Sequence, residues 1–98
     1  MKTLVIGAAI IDIIMKIKRL PKSGEDILCS ETVSAVGGCA YSVAGTLRGF
    51  GVDHDLFVPV GRGMYGDMIA GDLEKLGYRI LIREEESDNG YCLCLVEE

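Results

Sequence analysis

Tryptophan is absent from this 98-residue chain, and histidine occurs only once, at His54. A single histidine without an obvious partner excludes a Ser-His-Asp catalytic set. Cysteine occurs four times, at Cys29, Cys39, Cys92 and Cys94, without a C-x-x-C pair or the Cys/His spacing of zinc ligands. The sequence therefore predicts no metal site, and free thiols of this kind are typical of a reducing cytoplasm.

Long apolar runs are also absent. No stretch reaches 18 apolar residues, so no transmembrane helix is expected. The apolar run near the N-terminus is interrupted by Asp12 and lacks a cleavage-like site, so no signal peptide is expected either. Basic residues are in the minority, with 10 Lys and Arg against 15 Asp and Glu and a net charge of −5. This acidic balance disfavours nucleic acid and anionic membranes as partners.

Two glycine-rich nucleotide signatures are missing as well. The chain contains no G-x-x-x-x-G-K-[ST] segment, which excludes a P-loop. After the first predicted strand comes Gly7-Ala8-Ala9-Ile10, where a dinucleotide-binding fingerprint would need a second glycine at position 9. Neither signature therefore predicts a nucleotide site in this chain.

The hydrophobic pattern predicts strands that alternate with two helices. Apolar runs predict strands at 2–6, 11–18, 26–36 (one or two strands), 55–60, 78–82 and 90–96. Helical spacing predicts helices over 39–50, with Ala40, Val43, Leu47 and Phe50 on one face, and over 65–76. The strand-helix-strand order implies parallel pairing with right-handed crossovers, while 11–36 is a strand-rich insertion.

The predicted parallel strands are unusually apolar for so short a chain. The strands around Val5 and Phe57 are expected to be buried on both faces, as parallel strands usually are. Two helices are too few to cover both faces of such a sheet. The sequence is therefore typical of the front of a larger domain.

A small group of polar and glycine residues predicts a site for a polyhydroxy ligand. Asp12 follows the first strand, and Gly37-Gly38 opens the first helix, with Ser42 on its first turn. Ligands of α/β sheets bind beyond the carboxyl ends of the strands, and a carboxylate accepts two hydroxyl hydrogen bonds. Paired glycines at a helix N-terminus admit a ligand close to free N–H groups. The alternatives remain open: Asp12 as a turn or cap residue, the glycines as a plain strand-to-helix turn, and Ser42 as a solvent-facing residue.

Five segments of the chain resemble the PfkB/ribokinase family of carbohydrate and nucleoside kinases. Residues 5–14 are similar to its first strand and substrate aspartate, and Leu20-Pro21-Lys22-Ser23-Gly24-Glu25 to its turn between lid strands. Residues 37–44 resemble its GG-x-x-x-N-x-A signature and 60–66 its G-x-D-x-x-G segment. Residues 89–96 resemble the lid strand that covers the substrate.

The resemblance implies an α/β fold with a ribokinase-like, Rossmann-type parallel sheet core and a small β-strand lid. Residues 1–98 would form the N-terminal part of the domain, with the core at 1–10 and 37–84 and lid strands at 11–36 and 89–98. It implies transfer of phosphate from ATP, with Mg²⁺, to a hydroxymethyl group of a sugar or nucleoside. The catalytic aspartate and the nucleotide site would lie beyond residue 98, so the 98-residue chain alone is expected to be inactive.

The resemblance also implies which residues of this chain bind the substrate. Cys92 and Cys94 share one face of the last strand by its two-residue period, and that face matches the family's substrate-covering positions. The alternative for both thiols is a place among small core residues. The substrate-binding residues implied are six: Asp12, Gly37, Gly38, Ser42, Cys92 and Cys94.

The chain departs from the family's pattern at two positions, and it contains one likeness to which we assign no function. Ser42 replaces the usual Asn, and Gly63 replaces the usual Asp of the G-x-D-x-x-G segment. Residues 70–72 are similar to the end of the family's catalytic G-A-G-D motif, but they lie inside the second predicted helix, where no free N–H groups are available. We therefore do not assign the catalytic base to Asp72. The alternative function is a catalytically incomplete lid-and-core module that acts by forming a homodimer through its lid strands.

Overall fold

The computed structural model describes residues 2–98, which form five strands and two helices. The predicted order of elements is correct except for one strand, and most boundaries differ by one or two residues. In chain order the elements are β1 (Thr3–Ile6), β2 (Ile10–Ile17), β3 (Glu31–Gly37), α1 (Cys39–Gly49), β4 (His54–Phe57), α2 (Met64–Lys75) and β5 (Tyr91–Glu97).

The strands form two separate sheets. The core sheet is the parallel pair β1–β4, in which Val5 lies opposite Leu56. The lid sheet has the order β3-β2-β5, with β2 antiparallel to β3 and parallel to β5. Strand β2 therefore lies at the centre of the lid sheet, and its residues are flanked on both sides. Within residues 2–98 no helix is long and apolar enough to cross a membrane.

The hydrophobic core lies between the two sheets and the two helices. Helix α1 packs on the core sheet through Ala40 and Ala44, which are both buried in the cluster that contains Val5. Small side chains let this helix approach closely, and a Cβ atom at Gly7 would come within 2.8 Å of the Ala40 Cβ. The close approach places the start of α1 directly beside the turn that follows β1.

Helix α2 covers one face of the lid sheet. Ile69 and Leu73 on this helix belong to the same buried cluster as Ile11 of β2. Complete burial of a side chain of this size stabilises the fold by about 1.5–3 kcal/mol. Because side chains alternate along a strand, the face of the lid sheet opposite Ile11 is left uncovered in this chain.

The predicted strand over 78–82 is wrong. This segment is irregular, and Arg83, just beyond its end, forms a single parallel bridge with Val60. The Tyr78 N–H remains bonded to the Leu73 carbonyl at the end of α2, at 2.9 Å. The start of the segment is thus held by the helix and does not pair with β4.

Two other predicted strands are shorter than expected. Residues 26–30 are irregular, and a single strand begins only at Glu31. Strand β4 ends at Phe57. The last hydrogen bond to the β1 side runs from the Gly7 N–H to the Phe57 carbonyl, and Pro59 has no N–H to donate the next one.

Only one face of the core sheet is covered, as expected of a chain with two helices. Val5 is buried, but Leu4 and Ile6 on the other face are 59% and 66% exposed. On α1, Val43 and Phe50 were expected on the buried face, and both are exposed. Ala44 takes that position instead, since it lies one turn from Ala40. The chain therefore covers one face of its core sheet and leaves the other open.

Candidate functional site

Asp12 lies on the central strand of the lid sheet. It is paired with Ala35 of β3 on one side and with Cys92 of β5 on the other. Its side chain is half-buried, and its carboxylate occupies the space that a Cβ atom at Gly37 would need. The absence of a side chain at position 37 is therefore what lets the carboxylate lie against the β3 backbone. Asp12 and Gly37 are brought together as the sequence predicted.

Gly38 joins the lid sheet to the core. It is the N-cap of α1 with φ 101° and ψ 153°, a conformation that is essentially restricted to glycine. A Cβ atom here would lie 2.6 Å from the Ala8 carbonyl oxygen, so the backbone needs glycine for space as well. No side chain caps the helix and no acidic residue lies in its first turn, so the first N–H groups remain available to an electronegative ligand atom.

The face of the lid sheet that carries Asp12 is called the open face here. By register it also carries Ile14 and Cys94 as one cross-strand pair, and Val33 opposite Ile14 on β3. This is the face opposite Ile11 and α2, so the two thiols lie on the Asp12 side of the sheet. Within this chain Cys92 is exposed and Cys94 is half-buried.

The two thiols are in contact with each other. Their Sγ atoms lie 3.9 Å apart, within the range of a sulfur hydrogen bond. The hydrogen bond to Cys92, the charge of that neighbouring sulfur, burial and the charge of Asp12 all raise the pKa of the Cys94 thiol. Cys94 therefore holds its proton more strongly than an isolated thiol, in part because the Asp12 carboxylate is near.

Ser42 lies one turn into α1 and is exposed. Its N–H donates to the Gly38 carbonyl at 3.0 Å, which closes the first helical turn. Among residues 2–98 its hydroxyl makes no hydrogen bond, so nothing in the chain fixes its orientation toward the open face.

A short segment that sequence reasoning missed ties the lid to the core. Residues 87–90, called the strap here, lead into β5. The Asn89 side chain accepts from the Gly61 N–H at 2.6 Å and donates to the carbonyls of Ala9 and Pro59 at 3.2 and 3.1 Å. Ala9 leads into β2, so one amide joins the entries of two lid strands to the loop after β4. The S-D-N-G sequence is a turn signal, but it does not reveal which segments the turn contacts.

The strap also supplies the cap of α2. The Asp88 carboxylate accepts from the Tyr65 and Gly66 N–H groups at 3.1 and 2.6 Å. Desolvation opposes ionisation of Asp88, but hydrogen bonds from the Gly66, Tyr65 and Asn89 N–H groups and the charge of Arg83 outweigh it and lower its pKa. The N-cap residue itself is Gly63, where a Cβ atom would lie 2.5 Å from the Asp88 carboxylate. Asp88 thus caps α2 from outside the helix, and a side chain at position 63 would collide with it.

Residues 70–72 lie in the middle of α2, as the sequence predicted. The Asp72 carboxylate accepts a short hydrogen bond from the Tyr41 hydroxyl of α1. Burial, this hydrogen bond and the Asp72 charge raise the pKa of Tyr41 to about 12. Asp72 therefore links the two helices and does not stand at a helix N-terminus.

The described residues do not build a site for a magnesium nucleotide. Among residues 2–98 no three His, Cys, Asp or Glu side chains are grouped so that they could hold a metal ion. The sequence before either helix does not match the P-loop signature G-x-x-x-x-G-K-[ST]. What the chain does offer is one carboxylate, free helix N–H groups and two thiols, a set suited to an uncharged ligand rich in hydroxyl groups.

Known proteins resemble this chain along nearly its whole length. The chain matches the pfkB family of carbohydrate kinases over residues 1–98. It is 40% identical over 94 residues to the uncharacterized sugar kinase YegV of Escherichia coli strain K12, covering 96% of this chain and 29% of that protein.

Solved structures of ribokinases share the fold. Ribokinase from Giardia lamblia superposes with a TM-score of 0.86 and 25% identity, over 99% of this chain and 32% of that one. Arabidopsis thaliana ribokinase, complexed with ribose and ATP, gives a TM-score of 0.83 and 24% identity, over 97% and 32%. This chain therefore spans less than a third of the length of these relatives. With the family signature matched along its whole length and a ribokinase-like α/β fold, the chain belongs to the pfkB family of carbohydrate kinases.

Proposed function

We propose that residues 1–98 form the substrate-binding, N-terminal part of an ATP-dependent sugar or nucleoside kinase. The observation that carries this proposal is the contact of the Asp12 carboxylate with Gly37, directly beside the free N-terminus of α1. This contact lies on the open face of the lid sheet, in a chain of the pfkB family. The complex of Arabidopsis thaliana ribokinase with ribose and ATP supports the substrate class.

Asp12 is the main hydroxyl-binding group in this proposal. A carboxylate has about four lone-pair sites, and the half-buried position leaves some of them accessible from the open face. Two neighbouring hydroxyls of a sugar would donate to it. The N–H groups at the start of α1 would donate in turn to a sugar oxygen, with Gly37 and Gly38 leaving room for close approach. Ser42 would add a hydroxyl, while Cys92 and Cys94 would cover the apolar side of the ring.

The rest of the reaction is assigned to residues outside this chain. In the whole kinase, a later aspartate would take the proton of a substrate hydroxymethyl group, and ATP with Mg²⁺ would supply the phosphate. The described residues do not fit a metal ion with its nucleotide, so phosphate transfer itself is not assigned to them. The chain's own part is to position the hydroxyl and to exclude water when the lid sheet closes.

The uncovered face of the core sheet supports this division. Leu4 and Ile6 stand there largely exposed, although parallel strands are usually covered on both faces. Leu81, which follows α2, is 57% exposed as well. An apolar face of this kind is expected to be covered by the remaining part of a larger kinase domain.

The proposal is tested by sugar binding and turnover measured on the purified chain. We expect isothermal titration against pentoses, hexoses and nucleosides to find one class that binds, without ATP-dependent turnover. Asp12→Asn keeps the shape but removes the charge, and should weaken binding about 10- to 100-fold, the value of one charged hydrogen bond. Asp26→Asn on the exposed turn before β3 is the matched control. Sugar binding that survives Asp12→Asn unchanged, or turnover by the chain alone, would contradict the proposal.

A second function is favoured by the edges of the lid sheet. Strands β3 and β5 are both edge strands, and exposed apolar side chains on the sheet include Val33, Leu93 and Val96. Such edges and faces are suited to pairing with a second copy across a two-fold axis. If the chain acts mainly through dimerisation, sedimentation should show a dimer whose stability does not depend on sugar. A monomer at micromolar concentration would exclude this alternative.

A further inference from the structure

Cys92 and Cys94 form a matched pair of thiols on the open face. Their sulfur atoms lie 3.9 Å apart, and β5 holds them on the same side with one residue between them. Cys92 is exposed and Cys94 is half-buried, so a small reagent has access to the pair from solvent. By contrast, Cys29 lies on the irregular segment before β3, without a thiol partner.

A disulfide does not suit this geometry. Residues two apart on a strand have Cα atoms about 6.6 Å apart, at the outer limit for disulfides. The sulfur atoms would also have to approach to about 2.05 Å. That approach would bend β5, which is paired with β2 along its whole length. The pair is therefore expected to remain as two thiols under mild oxidation.

One thiol-binding atom that bridges the two sulfurs suits their separation better than a disulfide does. When sulfur is bonded at about 2.3 Å to a tetrahedral centre, two sulfurs stand about 3.8 Å apart. A zinc ion would still lack ligands, because among residues 2–98 no third metal-binding side chain joins the cluster. A trivalent organic arsenical carries its own carbon substituent and needs only two sulfurs.

We propose that Cys92 and Cys94 form a two-thiol binding site for trivalent organic arsenicals on the open face. The reaction joins one arsenic atom to both sulfurs and breaks its bond to oxygen. The two thiol protons leave with that oxygen as one water molecule, and arsenic stays trivalent throughout. Because Cys92 lies opposite Asp12 in the lid sheet, the bound arsenical occupies the space beside that carboxylate. Competition between the arsenical and a bound sugar, unlike the site itself, rests on the proposed sugar-binding function.

The site is tested with phenylarsine oxide and intact-mass spectrometry of the native chain. We expect one adduct per chain, with loss of water and of free thiols at Cys92 and Cys94 only. Cys92→Ser and Cys94→Ser should each raise the half-saturating concentration about 100-fold, because the second sulfur bond is intramolecular. Cys29→Ser is the matched control and should bind as tightly as the unchanged chain.

A second measurement tests whether the affinity for phenylarsine oxide depends on the folded strand or only on the spacing of the two cysteines in the sequence. In urea the same thiols remain two residues apart, but β5 no longer holds them on one face, so affinity should fall about tenfold. Equal affinity in native buffer and in urea would overturn the proposal, as would adducts at Cys29 or Cys39. So would a single-serine variant that binds as tightly as the unchanged chain.

The position beside Asp12 is tested by protection. A sugar that binds the chain should slow the reaction with phenylarsine oxide, and the bridged chain should no longer bind that sugar. If the chain binds no sugar, the proposed function fails while the mass measurements still decide the arsenical site. If sugar binds and gives no protection, the assigned location on the open face is wrong.

Discussion

Asn89 offers the sharpest test of how the lid is held to the core. Asn89→Leu keeps the volume of the side chain and removes all three of its hydrogen bonds. Gly61 and Ala9 are buried, so their N–H and C=O groups would lose their partner without access to water. Pro59 is exposed, and its carbonyl would be solvated instead.

The magnitude follows from these two orphaned groups. Each buried polar group left without a partner costs about 1–3 kcal/mol, which gives about 2–6 kcal/mol for the pair. A domain of this size has a free energy of unfolding of about 5–15 kcal/mol. The substitution should therefore remove a large share of the stability. The free energy of unfolding falls by about 1–3 kcal/mol for each molar of urea, so the urea concentration at the midpoint of unfolding should fall by about 1 M or more.

Urea unfolding followed by circular dichroism measures this change, and hydrogen exchange locates it. The Gly61 amide should lose protection, since its acceptor is the Asn89 side chain. Ser87→Ala is the matched control in the same strap, because the Ser87 side chain makes no hydrogen bond with residues 2–98. If Asn89→Leu unfolds within about 0.5 kcal/mol of the unchanged chain, as a plain surface substitution would, the strap does not hold the lid.

Two further predictions concern the glycine pair and the cap of α2. Gly37→Ala displaces only the movable end of Asp12, so sugar affinity should fall in titration calorimetry while the urea midpoint hardly changes. Gly38→Ala forces an L-residue to φ 101° against the Ala8 carbonyl and should lower the free energy of unfolding by about 1–3 kcal/mol. Equal effects of the two substitutions on sugar affinity and on stability would contradict the separate roles of Gly37 and Gly38. The pKa of Asp88 is lower in the folded chain than in the unfolded chain, so its ionised carboxylate stabilises the fold. This contribution is fully present above the ordinary carboxyl pKa of about 3.9, and it is lost as the pH falls through the lowered pKa of the folded chain. Asp88→Asn should therefore weaken the acid-dependent loss of stability below about pH 4, and an unchanged pH profile of urea unfolding would refute the role of that charge.

Much of this architecture was accessible from the sequence because local signals were strong. Gly38 and Gly63 mark the starts of α1 and α2, and the apolar runs mark β1, β2 and β5. The failures share one cause. The strand predicted over 78–82 and the burial predicted for Val43 both assumed packing partners, which apolar character does not supply by itself. Register is likewise a long-range property, so the pairing of Asp12 with Cys92 required the structure.

The candidate site depends on the places where the chain crosses between its two sheets. There are three crossings among the described residues: Gly7 to Ala9 before β2, Gly37-Gly38 after β3, and the strap before β5. The crossings hold one another in place, because Ala8 lies against Gly38 and the Asn89 side chain donates to the Ala9 carbonyl. Asp12 lies only three residues beyond Ala9, so a small change of angle at the crossings moves its carboxylate relative to the α1 N-terminus. The open face supplies the chemistry of the site, but the crossings set its geometry, and substitutions at either place should change sugar affinity by different physical routes.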